Sequence, residues 1–343
     1  MKLSMPLVYA GNPRETADQV AGLEKAGLDM IWVAEPYGFD APTLMGYLAA
    51  KTETVEIGAG ILNVFSRTPG ALLQTAAGLD NVSGGRAVFG LGASGPQVIE
   101  GFHGLAYDKP LTRTREVIEV LRMGLRREPL DFQGKTVQLP LPEGQGLGLG
   151  KPLKLLNKPE RADVPIWVAA LGDKNVAMTA EVADGWLPFL YLPEKAREVW
   201  GSSIDAGLAK RDASLGGLDI CAGGMVAIGE DVKGLLDFMR PTYALYVGGM
   251  GAKGKNFYND LACQYGYEKE AAEIQDLYLS GKKKEAEALV PLEWLEAGNL
   301  VGPESYVKER IAAFKESGVT NLSVTPASDD PAATIAQVKE WVS

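Results

Sequence analysis

Eight short runs rich in β-branched and apolar residues alternate with amphipathic segments along nearly the whole of this 343-residue chain, and no other feature constrains its fold as much. The runs are Pro6–Ala10, Met30–Ala34, Glu56–Leu62, Ala87–Leu91, Ile166–Ala170, Gly185–Phe189, Ile220–Ile228 and Asn321–Thr325. Strands separated by helix-length crossovers pair in parallel, because a chain that returns through a helix re-enters the sheet in the same direction. The crossovers read as helices over Ala41–Lys51, Gly70–Asn81, Thr112–Arg127, Asn175–Ala183, Glu194–Lys210, Ser305–Ser317 and Pro331–Trp341, and over the segment that Asn12-Pro13 opens and Lys25-Ala26-Gly27 closes. Proline in a first turn and glycine just past a last one are the expected punctuation. Eight strands, each followed by a helix, predict an α/β chain closed into a (β/α)8 TIM barrel, a fold that takes about 250 residues before insertions.

The remaining length falls into two stretches within what reads as one barrel domain spanning 1–343. Residues 128–163 are rich in Gly, Pro and Leu, and Glu143 to Leu155 are expected to form a loop over the barrel mouth. Residues 240–300 carry Tyr- and Gly-rich sequence followed by a charged helical stretch, in which Lys282-Lys283-Lys284 reads as a solvated face. A net charge of −10 supplies no general attraction for nucleic acid or anionic membranes. Met1 to Ala10 lack the basic flank and apolar run of a signal peptide, and no apolar stretch approaches membrane-spanning length, so a cytoplasmic protein is expected. Cys221 and Cys263 have no metal-ligand spacing and read as reduced core thiols.

Three glycine motifs suggest chemistries that their context rejects. Gly90-Leu91-Gly92-Ala93-Ser94-Gly95 spells a dinucleotide fingerprint, but three strands precede it and a helix occupies the place of the acidic residue that should close the next strand. Ser94 falls one residue short of a nucleophile elbow and would depend on His103, the one histidine of the chain. Gly148-Leu149-Gly150-Lys151 is followed by Pro152, where a phosphate loop requires a hydroxyl. With one histidine and no clustered carboxylates, no permanent metal is expected. What remains is a barrel mouth of glycines, amides, aromatics and scattered carboxylates, which suits a bound coenzyme that brings its own reactivity.

Several blocks, in order and over most of the chain, resemble the luciferase-like monooxygenase superfamily and its deazaflavin-dependent branch. They are Gly58-Ala59-Gly60-Ile61-Leu62-Asn63 through Arg67-Thr68-Pro69, Ser83-Gly84-Gly85-Arg86, and Leu91-Gly92-Ala93-Ser94-Gly95 through Glu100-Gly101-Phe102-His103-Gly104. Further on come Ala169-Ala170-Leu171-Gly172, Ala180 through Trp186, and Tyr246 through Gly251. The resemblance implies a barrel of the bacterial-luciferase-like type with coenzyme F420 over the strand ends, and a non-prolyl cis peptide between Gly60 and Ile61 behind the ring. It puts Glu35 beside the ring, followed by Pro36 where sugar-phosphate-oxidising relatives have histidine. It places Asn63 beside the bulge and Leu171-Gly172 at the ribityl and phosphate region, with Gly92 and Ala170 also among the coenzyme-binding residues.

The relatives' arginine ahead of the last strand–helix unit falls near Ala297, so Arg67, Arg240, Lys253 and Lys255 are the candidates for a basic rim that draws in the coenzyme's phosphate and acidic tail. Glu100, His103 and Glu35 are the candidate catalytic groups. Trp32, Trp167 and Phe89 read as barrel core; Trp186, Phe189 and Tyr191 approach a strand end and could meet ligand. The reaction implied is hydride transfer between F420 and a small organic substrate, by a homodimer as in relatives. The alternatives are a two-component monooxygenase using FMN and a non-catalytic coenzyme-binding barrel.

Overall fold

In the computed structural model, which describes residues 1–7 and 11–343, eight parallel strands close on themselves. They are β1 (Lys2–Pro6), β2 (Met30–Val33), β3 (Glu56–Ala59), β4 (Ala87–Gly92), β5 (Ile166–Ala169), β6 (Gly185–Leu187), β7 (Asp219–Ile228) and β8 (Asn321–Pro326). Each pairs with the next, and β8 pairs with β1 through Lys2↔Asn321 to Ser4↔Ser323. Seven of the eight runs read from the sequence are therefore barrel strands, and of the first only Pro6 lies in one. The first begins earlier than expected, because Leu3 and Ser4 already alternate between the helix-facing and barrel-facing sides and both are fully buried. Of the expected Pro6–Ala10, positions 8–10 lie outside the described residues.

The outer layer follows from capping chemistry in the sequence. Helices α1 (Pro13–Lys25), α2 (Ala41–Lys51) and α3 (Pro69–Ser83) each start with proline in the first turn, behind Asn12, Asp40 and Thr68, whose side chains accept from otherwise unpaired first-turn amides. A short helix α4 (Pro96–Gly101) precedes α5 (Pro110–Leu125), followed by α6 (Asp173–Val182) and α7 (Pro193–Leu208). Helices Glu304–Glu316 and Pro331–Val342 complete the ring. Between helices and strands lies a continuous apolar layer that includes Leu3, Ile31, Ile57, Phe89, Val168 and Trp186.

A second, smaller core fills the barrel itself: Met30, Trp32, Val88, Trp167 and Cys221. The indoles of Trp32 and Trp167 meet edge to face, centroids 5.2 Å apart. Neighbouring strands make room for them by carrying glycine. A methyl group at Gly58 would fall 2.5 Å from the Trp32 ring, and one at Gly185 would fall 2.2 Å from that of Trp167. Burial pushes the Cys221 thiol up to about 11, although Ser4, Trp32 and Ser323 favour its ionised form. Cys263, on helix Phe257–Gln264, is only half-buried, and both thiols are free.

The two insertions start from opposite ends of the barrel. Residues 128–163 leave the carboxyl end of α5 and enter the amino end of β5, both at the closed end, and in between they climb the outer face of α5 to Glu116. The loop expected over the mouth, Glu143 to Leu155, follows the hairpin on that outer face and comes back to the closed end at Leu153 and Leu155. Its flanks are tied to that lower end by Arg127, which donates to the Leu155 carbonyl, by Asn81, which donates to that of Lys158, and by the buried Asp80, which pairs with Arg161. A hairpin in this insertion, Phe132–Gln133 with Gln138–Leu139, is pinned by the Glu116 carboxylate, which accepts from the amides of Lys135, Thr136 and Val137. Residues 240–300 instead follow the carboxyl end of β7, and a βα connection necessarily rises over the mouth. Their Lys282–Lys284 run is solvated as expected, with Lys282 and Lys284 pairing locally with Glu285 and Glu287. Among the described residues no helix is long and apolar enough to cross a membrane.

Two glycine substitutions should shift stability in opposite directions. Gly185→Ala should destabilise by about 1–3 kcal/mol through overpacking against Trp167, whereas Gly22→Ala, on an exposed helical turn of α1 with nothing within 4 Å, should stabilise by about 0.5–1 kcal/mol. Urea denaturation midpoints measure both; a Gly185→Ala midpoint at or above the parent's counts against the packing described.

Candidate active site

Bare backbone forms the wall of the mouth between β3 and β4. Strand β3 ends at Ala59, the peptide Gly60–Ile61 is cis, and the chain resumes as Leu62–Asn63, now paired with Leu91 and Gly92 at the end of β4. The Gly60 amide donates to the Val33 carbonyl at 2.8 Å. A methyl group at Gly90 would sit 1.9 Å from the Ala59 carbonyl oxygen, and one at Gly92 would sit 2.9 Å from the Ile61 side chain. Side chains are therefore excluded where these strand ends meet, and Ile61 lies directly against Gly92.

On the next side, β5 runs into Ala170-Leu171-Gly172 and the first turn of α6. The Ala170 carbonyl accepts from the Trp186 indole and the Leu171 carbonyl from that of Trp200, which fixes the turn from behind. Gly172 precedes the first turn of α6 with no side-chain cap, and the Asn175 side-chain oxygen in that turn is buried without a partner. Phe257, from the second insertion, approaches the open side of Gly172, 3.7 Å from the place a methyl group would take. Asn175 and Phe257 were not singled out in the sequence. The available signal for Asn175 was its position in the first turn after a strand end; for Phe257 there was none, because its place depends on how the insertion folds back.

Glu35 does not stand free at the mouth. Its carboxylate accepts two bonds from Arg67, both 2.6 Å, and one from the Ala41 amide at the start of α2. Arg67 is also bonded to Asp40. Hydrogen bonding to Glu35 raises the guanidinium above its ordinary range, against the opposing effect of burial. Glu35 and Arg67 are thus one structural unit joining the ends of β2 and β3. Arg240 is likewise engaged, with Asp237 and the carbonyls of Glu287 and Val290, and Lys253 pairs with Asp276 on the exposed surface. Lys255 is exposed and, among the described residues, has no carboxylate in ion-pair range.

The candidate catalytic groups separate. Glu100 is exposed on α4 and accepts from the Tyr107 amide. His103, half-buried, meets the buried Asn63 at 3.4 Å and the edge of Phe102 at 5.1 Å. Beside them stand exposed Phe102 and Tyr37, in contact with each other, while exposed Phe39 lies toward α1 with Gly11 and Pro13. Opposite, half-exposed Phe189 packs on Tyr246, which meets Tyr258. Trp186 and Tyr191, read as possible ligand contacts, are core: Trp186 is fully buried and the Tyr191 hydroxyl is held by Ser317. Trp32, Trp167 and Phe89 are core as expected. No group of three or more His, Cys, Asp or Glu among the described residues could hold a metal ion.

Residues 2–321 match the sequence model of the luciferase-like monooxygenases. The chain belongs to that family. Within it, the chain is 39% identical, over 98% of both sequences, to a Mycobacterium tuberculosis protein whose name is that of a coenzyme F420-dependent oxidoreductase. It is 30% identical to the 5,10-methylenetetrahydromethanopterin reductase of Archaeoglobus fulgidus, over 66% of this chain and 64% of that one. Among solved structures, the coenzyme F420-dependent tetrahydromethanopterin reductase of Methanopyrus kandleri has the same fold, with a TM-score of 0.82 over 99% of this chain and 98% of that one at 22% identity. An F420-dependent secondary alcohol dehydrogenase follows at 0.74 and 19% identity, each chain wholly covered. The luciferase-like barrel inferred from strand count and motif order is thus the fold observed.

The ion pairs at the mouth differ in burial, and so should their contributions. The Arg67 and Glu35 side chains are only 19% and 10% exposed. Arg67→Met leaves a nearly buried carboxylate unpaired and should cost about 2–3 kcal/mol, whereas Lys253→Met removes an exposed pair and should cost less than about 1 kcal/mol. Equal shifts in denaturation midpoint would contradict the structural role given to Arg67.

Proposed function

We propose that this chain is a coenzyme F420-dependent oxidoreductase that passes a hydride between the deazaflavin and a small organic substrate, working as a homodimer. The observation that carries the reading is its full-length likeness to a relative named for that coenzyme, at 39% identity. The site fits such a group: Gly60 and Gly92 project no side chain, with Trp32 packed on the one and Ile61 on the other, and the unpartnered acceptor on Asn175 suits a hydroxyl-bearing chain. Gly60, Ile61 and Gly92 would back the ring, and Ala170, Leu171 and Gly172 would meet the ribityl and phosphate region. Lys255 is the basic residue free to attract the acidic tail.

When bound, the deazaflavin supplies or accepts the hydride, so no protein nucleophile is needed. This chain's residues position and exclude water. Tyr37 and Phe102 on one side and Phe189 with Tyr246 on the other offer apolar surface to an organic substrate, and Asn63 and His103 offer polar groups. Glu35, occupied by Arg67 and the α2 amide, holds the β2 end in place, and Glu100 holds the turn leading to Tyr107. The engagement of Arg67 with two carboxylates leaves it no charge to spare for a phosphorylated substrate.

Coenzyme F420 should bind at least about tenfold more tightly than FMN, or about 1.4 kcal/mol, by fluorescence titration of the purified protein. FMN binding equally or more tightly would favour the oxygen-using branch, to which an FMN-bound Baeyer-Villiger monooxygenase of similar fold, TM-score 0.64 at 18% identity, belongs by its name.

A further inference from the structure

Asn63 is held so that only one of its two side-chain atoms can face His103. Its Oδ1 accepts from the backbone amides of Phe65 at 3.1 Å and Ser66 at 2.6 Å. Two N–H donors converging on one atom require that atom to be the oxygen, which resolves the orientation of the amide. Nδ2, a donor only, therefore faces His103 Nε2 at 3.4 Å. Asn63 is 3% exposed and sits in the Leu62–Asn63 strand paired with β4, so neither its position nor its orientation is free to change.

We infer that Asn63 is a positioning residue that fixes His103 as the neutral Nδ1–H tautomer, making the imidazole a hydrogen-bond donor to substrate through Nδ1 rather than a base. A ring nitrogen facing an N–H must present its lone pair, and the proton of a neutral imidazole then resides on the other nitrogen. With Nε2 occupied by Asn63 and Nδ1 protonated, the ring has no lone pair left to accept a proton from substrate. Its contribution is to orient and polarise a substrate oxygen while keeping its own proton: in the reducing direction the carbonyl carbon would gain the hydride that reduced F420 gives up, the oxygen would take a proton from water, and the proton that F420 releases on oxidation would pass to water. The choice of substrate follows: an alcohol, aldehyde or ketone oxygen can accept such a bond. This rests on the functional reading above, which places His103 at the substrate side of the mouth.

The chain contains a single histidine, so a sample labelled with ¹⁵N-histidine shows one imidazole and two ring nitrogens. In the coenzyme-free parent near neutral pH, Nε2, identified by its couplings to both carbon-bound ring protons, should be the pyridine-type signal and Nδ1 the pyrrole-type one. Asn63→Asp keeps an oxygen for the Phe65 and Ser66 amides but turns a second oxygen toward His103, and Nε2 should then carry a proton. A parent spectrum with Nε2 protonated overturns the proposal, as does an Asn63→Asp spectrum unchanged from the parent; the parent spectrum decides even if the variant does not fold.

Turnover tests the reading beneath it. With reduced F420 and a series of aldehydes and ketones, His103→Asn, which can return an N–H near the Nδ1 position, should keep at least about tenfold more activity than His103→Ala. The expected spectrum with all variants as active as the parent would leave the tautomer standing and remove His103 from the site.

Discussion

Closure of eight parallel strands creates a space that must be filled from within, and the rest of the structure depends on how this chain fills it. Two indoles, from β2 and β5, occupy the interior, and each is admitted because the adjacent strand carries glycine against it, Gly58 for Trp32 and Gly185 for Trp167. Interiors tolerate neither voids nor overlap, so large residues on some strands demand small ones on their neighbours. The same rule operates one layer higher. Gly90 and Gly92 let the end of β3 close onto β4, and the surface left at the mouth there is backbone and Ile61 in place of projecting side chains.

Charge at the mouth is largely neutralised before any ligand arrives. Glu35, Arg67 and Asp40 satisfy one another across the ends of β2 and β3, and Glu35 also caps α2. A partly buried guanidinium with two carboxylates around it rigidifies the loops that carry it and contributes little net positive field. The mouth is consequently aromatic and amide-lined on an acidic protein, and of the four candidate rim cations only Lys255 lacks a carboxylate partner among the described residues. Such a surface suits a coenzyme held mainly by shape and backbone contacts, and an uncharged substrate.

The fold was legible because it rests on periodicity and punctuation. Seven strands and the eight principal helices lie where alternating apolar runs, leading prolines and closing glycines put them, with shifts of a few residues at their ends, and β1 starts four residues ahead of its expected place. The placement of the first insertion was not legible: Gly, Pro and Leu mark a loop but carry no information about which end of the barrel it covers. Topology settles only its ends, since a connection from helix to strand leaves and re-enters at the closed end, and the Glu116 carboxylate settles its hairpin, held on the outer face of α5. Trp186 and Tyr191 were ambiguous for a related reason, as an aromatic residue near a strand end has the same local sequence whether it turns toward ligand or toward a helix.

The sequence by itself determined the parallel α/β alternation, the strand count, the glycines at the strand ends and the order of motifs that places the chain among luciferase-like barrels. These are local properties, set by residue spacing and backbone preference. Only the tertiary structure decided which charged groups are already engaged, because pairing between Arg67 and Glu35, or Lys253 and Asp276, joins residues 32 and 23 positions apart in the chain. It alone also brought Asn63 against His103, 40 positions later. Hydrogen bonds and ion pairs act over a few ångströms in space, and spacing along the chain does not record which distant groups the closed barrel will bring that close.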